Sequence, residues 1–374
     1  MARRKPSPAP RRSAKRPAPN KPLPSDGLET LFAQAMVGHG GPPWAVAVSG
    51  GGDSLALMHL LHGFAKAQAL AVPIVLTVDH GLRKTSARDA KKVLAWAKQA
   101  GLAAHVLTWR GKKPKSGIES AGREARYRLM GDWLAKNKIA TLFVGHNLDD
   151  QAETFLLRLA RGSGLDGLSG MVPHAPWPVP GFDQLRLARP MLGLSRDQLR
   201  TYLTGQGQAW LEDPMNEDTS FDRVKIRKAR AALSEAGLMP ARIAAAASHL
   251  ARARESLEVM TEAVLKRATK KSQAGGILLD AAALAAAPRE VGLRGLASVL
   301  MAVGGQAYRP RFESLERLFD RLAGPGLGAG ATLHGCQLRP VPVAFAPFSL
   351  AVTRENPRKT GSSTHPRAGK GIRQ

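Results

Sequence analysis

The sequence predicts an α/β protein, a doubly wound parallel sheet with helices on both faces, followed by a smaller helical C-terminal domain. Three observations lead there. Apolar runs and helix-patterned stretches alternate four times between residues 44 and 162, which is how repeated strand–helix units read. The first run, WAVAVS at 44–49, is apolar without a polar alternate, as a strand covered on both faces requires. From about Pro240 the chain turns to long Ala-rich helical stretches, a shift that places a domain boundary near 230–240.

Each element follows from local chemistry. SDGLETLFAQAM (25–36) reads as a helix capped by Ser25 or Asp26, because a short side-chain oxygen can accept from the first free amides. DSLALMHLLHGFAKAQ (53–68) has helical spacing after the first strand. PIVLTVDHG (73–81) is a second strand, and SARDAKKVLAWAKQAG (86–101) a second helix stopped at Gly101, where glycine accepts the left-handed turn that ends helices. AAHVLTW (103–109), IESAGREARYRLMGDWLAKNK (118–138), ATLFVGH (140–146) and DDQAETFLLRLARG (149–162) continue strand, helix, strand, helix. A loop-rich stretch (163–183) leads to a strand in LRLARPML (185–192) and a helix in SRDQLRTYLTGQG (195–207) with Ser195 as cap. The polar stretch 209–230 leaves this domain. Beyond it, 241–271, 281–305 and 310–324 are helical, and the Gly-rich 324–340 holds short strand-like pieces.

The 374 residues carry a formal net charge of +26. Residues 1–24 hold eight Lys/Arg and no acid, and residues 354–374 hold six basic residues and one acid. The tails thus account for half of the excess, and the body between them is still basic, which favours a polyanionic partner such as nucleic acid. The tails by themselves read equally as solubilising arms. One cysteine, Cys336, excludes a disulfide framework, a CxxC pair or a cysteine metal cage within the chain. The N-terminus has no apolar core of a secretory signal, and no apolar stretch reaches membrane-spanning length. The expectation is a reduced, cytoplasmic chain with no membrane contact; oligomeric state is left open, a homodimer included.

The stretch SGGGDS (49–54) sits between the first strand and its helix. In an open parallel sheet that is where a nucleotide phosphate belongs, since glycines let main-chain amides converge on oxygens and the helix start adds positive potential. Ser49 and Ser54 can add hydroxyl donors to the amides of Gly50, Gly51 and Gly52. The loop lacks the GK[ST] ending of a Walker A motif and does not fit GxGxxG. A carboxylate beside phosphates is repulsive without a cation between them, so Asp53 either holds Mg²⁺ or caps the helix.

SGGxDS after a first strand resembles the pyrophosphate loop of the PP-loop ATP pyrophosphatases, within the adenine nucleotide alpha hydrolase-like folds. Further stretches narrow the resemblance. VDHGLR (78–83), GREARYRLM (122–130), GHNLDDQAETFLLRLARGSGLDGLSGM (145–171), RPML (189–192), SRDQLRTYL (195–203) and EDPMNEDTSFDRVKIR (212–227) occur in order. Together they resemble the tRNA(Ile)-lysidine synthases over about residues 44–230. That resemblance implies ATP as cosubstrate, Mg²⁺ beside it, and two polymer and small-molecule partners: a tRNA(Ile) with a CAU anticodon and free L-lysine. It implies adenylation of the wobble cytidine at its C2 oxygen, then displacement of AMP by the ε-amine of lysine. Composition gives basic, disordered tails at 1–24 and 354–374, the first of them Pro-rich, and a short Gly-rich strand segment at 331–353, and the resemblance implies an ATP-binding catalytic domain at 25–230 and a helical tRNA-binding domain at 240–330.

Residue roles follow from that chemistry. Lysine is a cation, so its pocket needs carboxylates; Asp149, Asp150 and Glu153 leave the fourth strand together. Asp150 and Glu153 stand three apart, on one helical face, where they can hold an ammonium group and help it lose a proton. The alternative is that these acids merely complement a helix dipole. Asp79 and His80 are expected beside ATP. Arg126 neutralises phosphate or the adenylate, or is a surface arginine, with Arg123 next to it. His146 is a supporting contact near the nucleotide, since a single His beside acids is poor metal evidence. By resemblance Asp213, Asn216, Arg223 and Arg227 line the site, with Arg223 acting in catalysis. RGSGLDGL (161–168) is either a loop over the site or a simple turn.

Rivals on the same loop fare worse. Thiolating tRNA enzymes need several cysteines, and amidotransferase relatives need a glutaminase domain with its own cysteine. A second alternative is an RNA-binding protein with a relict ATP site, against which the intact SGGGDS and DDQAET count.

Overall fold

In this computed structural model, residues 30–32, 36, 41–83, 85–111, 113–114, 116–212, 222–273, 275–306, 308–324 and 326–355 are described. The Ser25/Asp26 cap, Asp213, Asn216 and nearly all of both tails lie outside the described residues. The chain divides into two compact units, Met1–Ala251 and Arg252–Gln374.

The first unit is built on strands β1 (Ala45–Ala47), β2 (Ile74–Asp79), β3 (Ala104–Thr108), β4 (Thr141–Phe143), β5 (His174–Pro176) and β6 (Arg186–Ala188). Their order is β3-β2-β1-β4-β6-β5. All neighbours run parallel except β5, which is antiparallel to β6 at the edge. The helices are α1 (Gly52–Ala67), α2 (Ser86–Gln99), α3 (Ile118–Lys136), α4 (Leu148–Ala160), α5 (Leu165–Leu168), α6 (Arg196–Gly205), α7 (Asp222–Lys228) and α8 (Arg230–Glu235), and α9 (Pro240–Ala268) starts here and runs on into the second unit. Helix starts sit where the sequence puts them, and Ser195 caps α6 through a capping box with Gln198.

The apolar runs are apolar because the sheet is covered on both faces. Val46 and Val48 pack with Leu55, Met58, Leu61 and Val93 in one cluster. Ala45, Leu76 and Leu142 pack with Tyr127, Met130 and Leu134 in another. Burying side chains this large contributes about 1.5–3 kcal/mol each, which sets the short strands firmly in register. The edge strand β5 lies in the stretch read as loop, where three residues that follow Pro173 and end in Pro176 give no periodic signal.

The second unit holds a five-stranded antiparallel sheet, β7 (Thr269–Lys271), β8 (Ile277–Leu279), β9 (Ala331–Leu333), β10 (Cys336–Pro340) and β11 (Leu350–Arg354), in the order β7-β8-β11-β10-β9. Helices α10 (Ala281–Ala285), α11 (Arg289–Gly304) and α12 (Phe312–Ala323) pack on it. The helical reading holds for α9 to α12, with Pro288 splitting the Ala-rich run into α10 and α11. The sheet gathers the strand-like pieces and adds β7 and β8, which the basic, Ala-rich context concealed. Cys336 is buried here, its thiol donating to the Leu300 carbonyl at 3.2 Å.

The strand order positions the site. β1 lies between β2 and β4, so the chain leaves neighbouring strands in opposite directions at their carboxyl ends, the crevice where ligands bind in such sheets. The glycine loop leaves β1 and the DDQAE helix leaves β4, side by side. Gly145 permits this approach: a Cβ there would lie 3.1 Å from Ser54 Cα and 3.2 Å from the Asp53 carbonyl carbon. Both neighbours are backbone and cannot swing aside. Gly145→Ala is therefore expected to destabilise the first unit by about 1–3 kcal/mol, read as a lower urea midpoint; an unchanged midpoint would contradict this packing.

Candidate active site

The glycine loop is braced from within. The Ser54 hydroxyl donates to the Gly51 carbonyl at 2.9 Å and accepts from the Ser49 amide at 3.1 Å. Gly50 has φ +92°, and a Cβ on it would come within 2.6 Å of Leu211 Cδ1. Leu211 in turn donates its amide to the Gly50 carbonyl at 2.9 Å. Gly50 is thus glycine for conformation and packing. Gly51 and Gly52 are different: a Cβ on Gly51 would meet nothing closer than Ser49 Oγ at 3.7 Å, and one on Gly52 only Trp210 at 3.6 Å. Packing does not demand glycine at either. What their bareness leaves open is the start of α1, whose first amides have no partner inside the helix. Gly51 is the N-cap and no side chain caps it, so Asp53 is not a capping residue.

Asp53 faces the acids of α4 instead. The Arg196 guanidinium, at the first turn of α6, donates from Nε to Asp53 at 3.3 Å, from Nη2 to Asp150 at 3.2 Å and from Nη1 to Glu153 at 3.4 Å. Its main-chain amide donates to Asp149 Oδ2 at 2.8 Å. From α7, Arg227 grips Glu153 with two bonds, at 2.7 and 3.0 Å. From α8, Arg230 reaches Asp149 at 3.1 Å and Asp197 at 3.5 Å. The Glu153 side chain is only 8% exposed, and a carboxylate so buried needs partners of this kind. Asp150 also closes a capping box with Asn147, accepting its amide at 3.1 Å while Asn147 Oδ1 accepts the Asp150 amide at 2.9 Å. It is both a helix cap and a member of the cluster.

Burial decides the electrostatics. It raises the Asp150 carboxyl to about 6, with Glu153 adding repulsion and Arg196 opposing. Asp53 is raised too, chiefly by burial, although Arg196 pulls the other way. For Arg196 burial lowers the pKa, but Asp150, Asp53, Glu153 and Asp149 outweigh it and hold the guanidinium above its ordinary value.

Asp53, Asp149, Glu153 and Arg196 line a cavity of about 370 Å³, with Asp150 behind them, within the range of small-molecule sites. Gly51, Gly52 and Asp53 form one wall, Asp149, Glu153, Arg196, Arg227 and Arg230 another. Trp210, Leu211, Ile226, Leu233, Leu238 and Ile243 supply an apolar side. Trp210 is held by its Nε1–H on Glu212 at 2.9 Å, with the Arg200 guanidinium 5.9 Å from a Trp210 ring centroid.

A second, basic group gathers around His146 at the exit of β4. Burial, then Arg189, Arg123, Arg223 and Arg126, lower the His146 imidazole to about 3, so it is neutral at any working pH. Burial lowers Arg126 as well, with Arg123 and Arg223 repelling it. His80 is lowered by burial and by Arg126. His146 Nδ1 and Arg189 Nε are buried without a hydrogen-bond partner among the described residues. Arg189 keeps one bond, from Nη1 to the Val172 carbonyl at 3.0 Å, and arginines gathered this closely suit an anion.

The structure thus brings Asp53, Asp150 and Glu153 together around the Arg196 guanidinium, with Arg227 on Glu153 and Arg230 on Asp149, and collects Arg123, Arg126, Arg223, His80 and His146 separately. Asp79 is taken up by its own turn, accepting from the Gly81 amide and the Ser86 hydroxyl. The 161–168 stretch folds back as a turn, its Gly167 carbonyl bound by Arg158 at 2.7 Å. Sequence reasoning missed Arg196, Arg230, Arg189 and Trp210. Arg196 had one signal: acids gathered for a buried site require a cation, and SRDQ supplies one beside a helix cap. For Mg²⁺, no three His, Cys, Asp or Glu side chains form a metal cluster among the described residues. Asp53 offers a single carboxylate beside the loop, which suits a cation that arrives with phosphates, since Mg²⁺ takes one or two carboxylates and keeps the rest of its shell for phosphate and water.

The raised Asp150 pKa has a consequence for stability. Between the ordinary carboxylate range and about 6, the folded state binds the extra proton, so this group's contribution falls as pH rises through that window. Asp150→Asn removes the titration. Its thermal midpoint relative to the parent is expected to rise between pH 4 and pH 7 and to level off above. A difference independent of pH would contradict the placement of Asp150.

Comparisons with known proteins agree with this geometry. Residues 25–231 match a family described as a PP-loop domain. A tRNA(Ile)-lysidine synthase of Ruegeria pomeroyi is 40% identical over 293 residues, 76% of this chain and 68% of that protein. One from Methylobacterium nodulans is 39% identical over 319 residues, 84% of this chain and 91% of that protein. One from Wolbachia pipientis wMel is 37% identical over 296 residues, 79% of this chain and 68% of that protein. The motifs, the sheet order, the bare helix start beside an acid cluster and these relatives converge: the chain belongs to the tRNA(Ile)-lysidine synthase family and carries that family's PP-loop domain.

Proposed function

We propose that the first unit carries out both steps of lysidine formation in one site. In the first, the C2 oxygen of the wobble cytidine of a tRNA(Ile) with a CAU anticodon attacks the α-phosphate of ATP, and pyrophosphate leaves. In the second, the ε-amine of free L-lysine forms a bond to C2 as the C2–oxygen bond breaks and AMP departs. The observation that carries this reading is the meeting of the open start of α1 with Asp53, Asp150 and Glu153 at the ends of adjacent strands. An amide-lined anion site and an acid-lined cation site share one cavity, and the reaction needs both.

The roles follow. The amides of Gly50 to Asp53, with Ser49 and Ser54 shaping the loop, bind phosphate oxygens. Mg²⁺ held by Asp53 would offset negative charge on the leaving pyrophosphate. Asp150 and Glu153 receive the ammonium group, and Asp149 positions Arg196 and Arg230. Arg126, with Arg123, Arg189, Arg223 and neutral His146, offers cations and an imidazole to the phosphates of ATP or of the adenylated tRNA, where a fixed positive charge stabilises developing negative charge. Asp79 and His80, at the end of β2, border the nucleotide. The chain's basic body and tails supply sequence-independent affinity for tRNA, and the second unit binds the same tRNA. No helix among the described residues is long and apolar enough to cross a membrane, and the reading places the enzyme in the cytoplasm with its tRNA.

The test is mass spectrometry of tRNA nucleosides after incubation with ATP and isotopically labelled lysine. A cytidine gaining the mass of labelled lysine less one water, the C2 oxygen having left with AMP, supports the proposal, and unmodified cytidine contradicts it. Glu153→Gln separates the steps. Pyrophosphate release with tRNA but without lysine should stay within about tenfold of the parent, while lysidine formation falls by about 10²–10⁴, the range of a lost acid–base group.

A further inference from the structure

We infer that Arg196 is a positioning residue that keeps the carboxylates of the cavity from holding the incoming lysine as an inert ammonium ion. The inference rests on the lysine reading given above and names how that site releases its nucleophile. An amine attacks only when neutral, and a lysine side chain ordinarily keeps its proton up to about pH 10.4. Neighbouring carboxylates favour the charged form further. The acids that recruit lysine therefore also hinder it. A cation fixed against the same acids opposes that hold, and arginine does so at every working pH because it does not give up its proton.

Arg196 meets these requirements geometrically. One guanidinium spans Asp53, Asp150 and Glu153 at 3.2–3.4 Å. Its main chain is pinned by the Ser195–Gln198 capping box and by the bond from its amide to Asp149. Its location also runs against local preference. It is the first residue of α6, where the helix dipole disfavours a cation. A residue that breaks a local rule while satisfying a distant cluster marks a functional constraint. Among the described residues, the other charged groups around the acids are Arg227 of α7, Arg230 of α8, and Asp197 and Arg200 of α6, with Glu212 beside Arg200. Arg196 links the glycine-loop acid to the pair on α4 among the described residues. In the step itself the ammonium proton passes to a carboxylate of that pair. The nitrogen lone pair then forms the C2–N bond, and AMP takes the electrons of the breaking C2–O bond.

The full-length enzyme, ATP, tRNA and varied lysine between pH 6.5 and 9 test this with Arg196→Gln and Arg196→Lys. For Arg196→Gln the lysine KM should be equal to or below that of the parent. Its kcat at pH 7 should fall at least about tenfold and recover as pH rises. Arg196→Lys, which keeps the charge, should retain the parent pH profile with kcat within about fivefold, and it stands alone as the test if the Gln variant does not fold. A lysine KM that rises while kcat holds, a kcat loss equal at every pH, or a Lys variant as impaired as Gln would overturn the inference, as a purely structural role gives these patterns. A parent enzyme without lysine-dependent turnover overturns the lysine reading and this inference with it; normal parent turnover with any of the contrary patterns strikes the inference alone.

Discussion

The interaction on which the rest depends is the Arg196 guanidinium set among Asp53, Asp150 and Glu153. Carboxylates this close repel one another, and burial raises the cost of keeping them charged. A planar cation with donors along two edges reaches all three at once. The sheet makes the meeting possible. β1 and β4 are neighbours, Gly145 lets the β4 exit touch the start of α1, and α6 delivers Arg196 between them. Strand order, a missing Cβ and one capped helix thus build a site that no single segment contains.

Charge is sorted across this site. The cavity beside α4 holds acids held in check by arginines, which suits a ligand that arrives as a cation and must react as a neutral amine. The region around His146 holds arginines and an imidazole that burial and those arginines keep neutral, which suits phosphate. The glycine loop, with its free helix-start amides, lies at the border. An enzyme that joins an amine to a nucleic acid at the expense of ATP needs this division, because its substrates carry opposite charge.

Much of the first unit was legible because its signals are local. Apolar runs marked strands covered on both faces, Ser195 announced its helix, and SGGGDS announced a bare helix start. The spacing of Asp150 and Glu153 correctly put both on one face, where they share Arg196. What could not be read lies in contacts distant in sequence. Arg196 is 143 positions from Asp53, and its one signal, a cation beside a helix cap, does not say which acids it meets. Trp210 and Leu211 look like part of a polar exit segment until Leu211 is found against Gly50. The short strands β5, β7 and β8 are set by pairing and not by pattern.

The most direct measurement is a structure of the enzyme with a non-hydrolysable ATP analogue and L-lysine. The account predicts phosphate oxygens on the amides of Gly50 to Asp53, the lysine Nζ within hydrogen-bond reach of Asp150 and Glu153, and Arg196 between the two ligands. Phosphates seated away from the glycine loop, or a lysine amine bound outside the acid cluster, would contradict it.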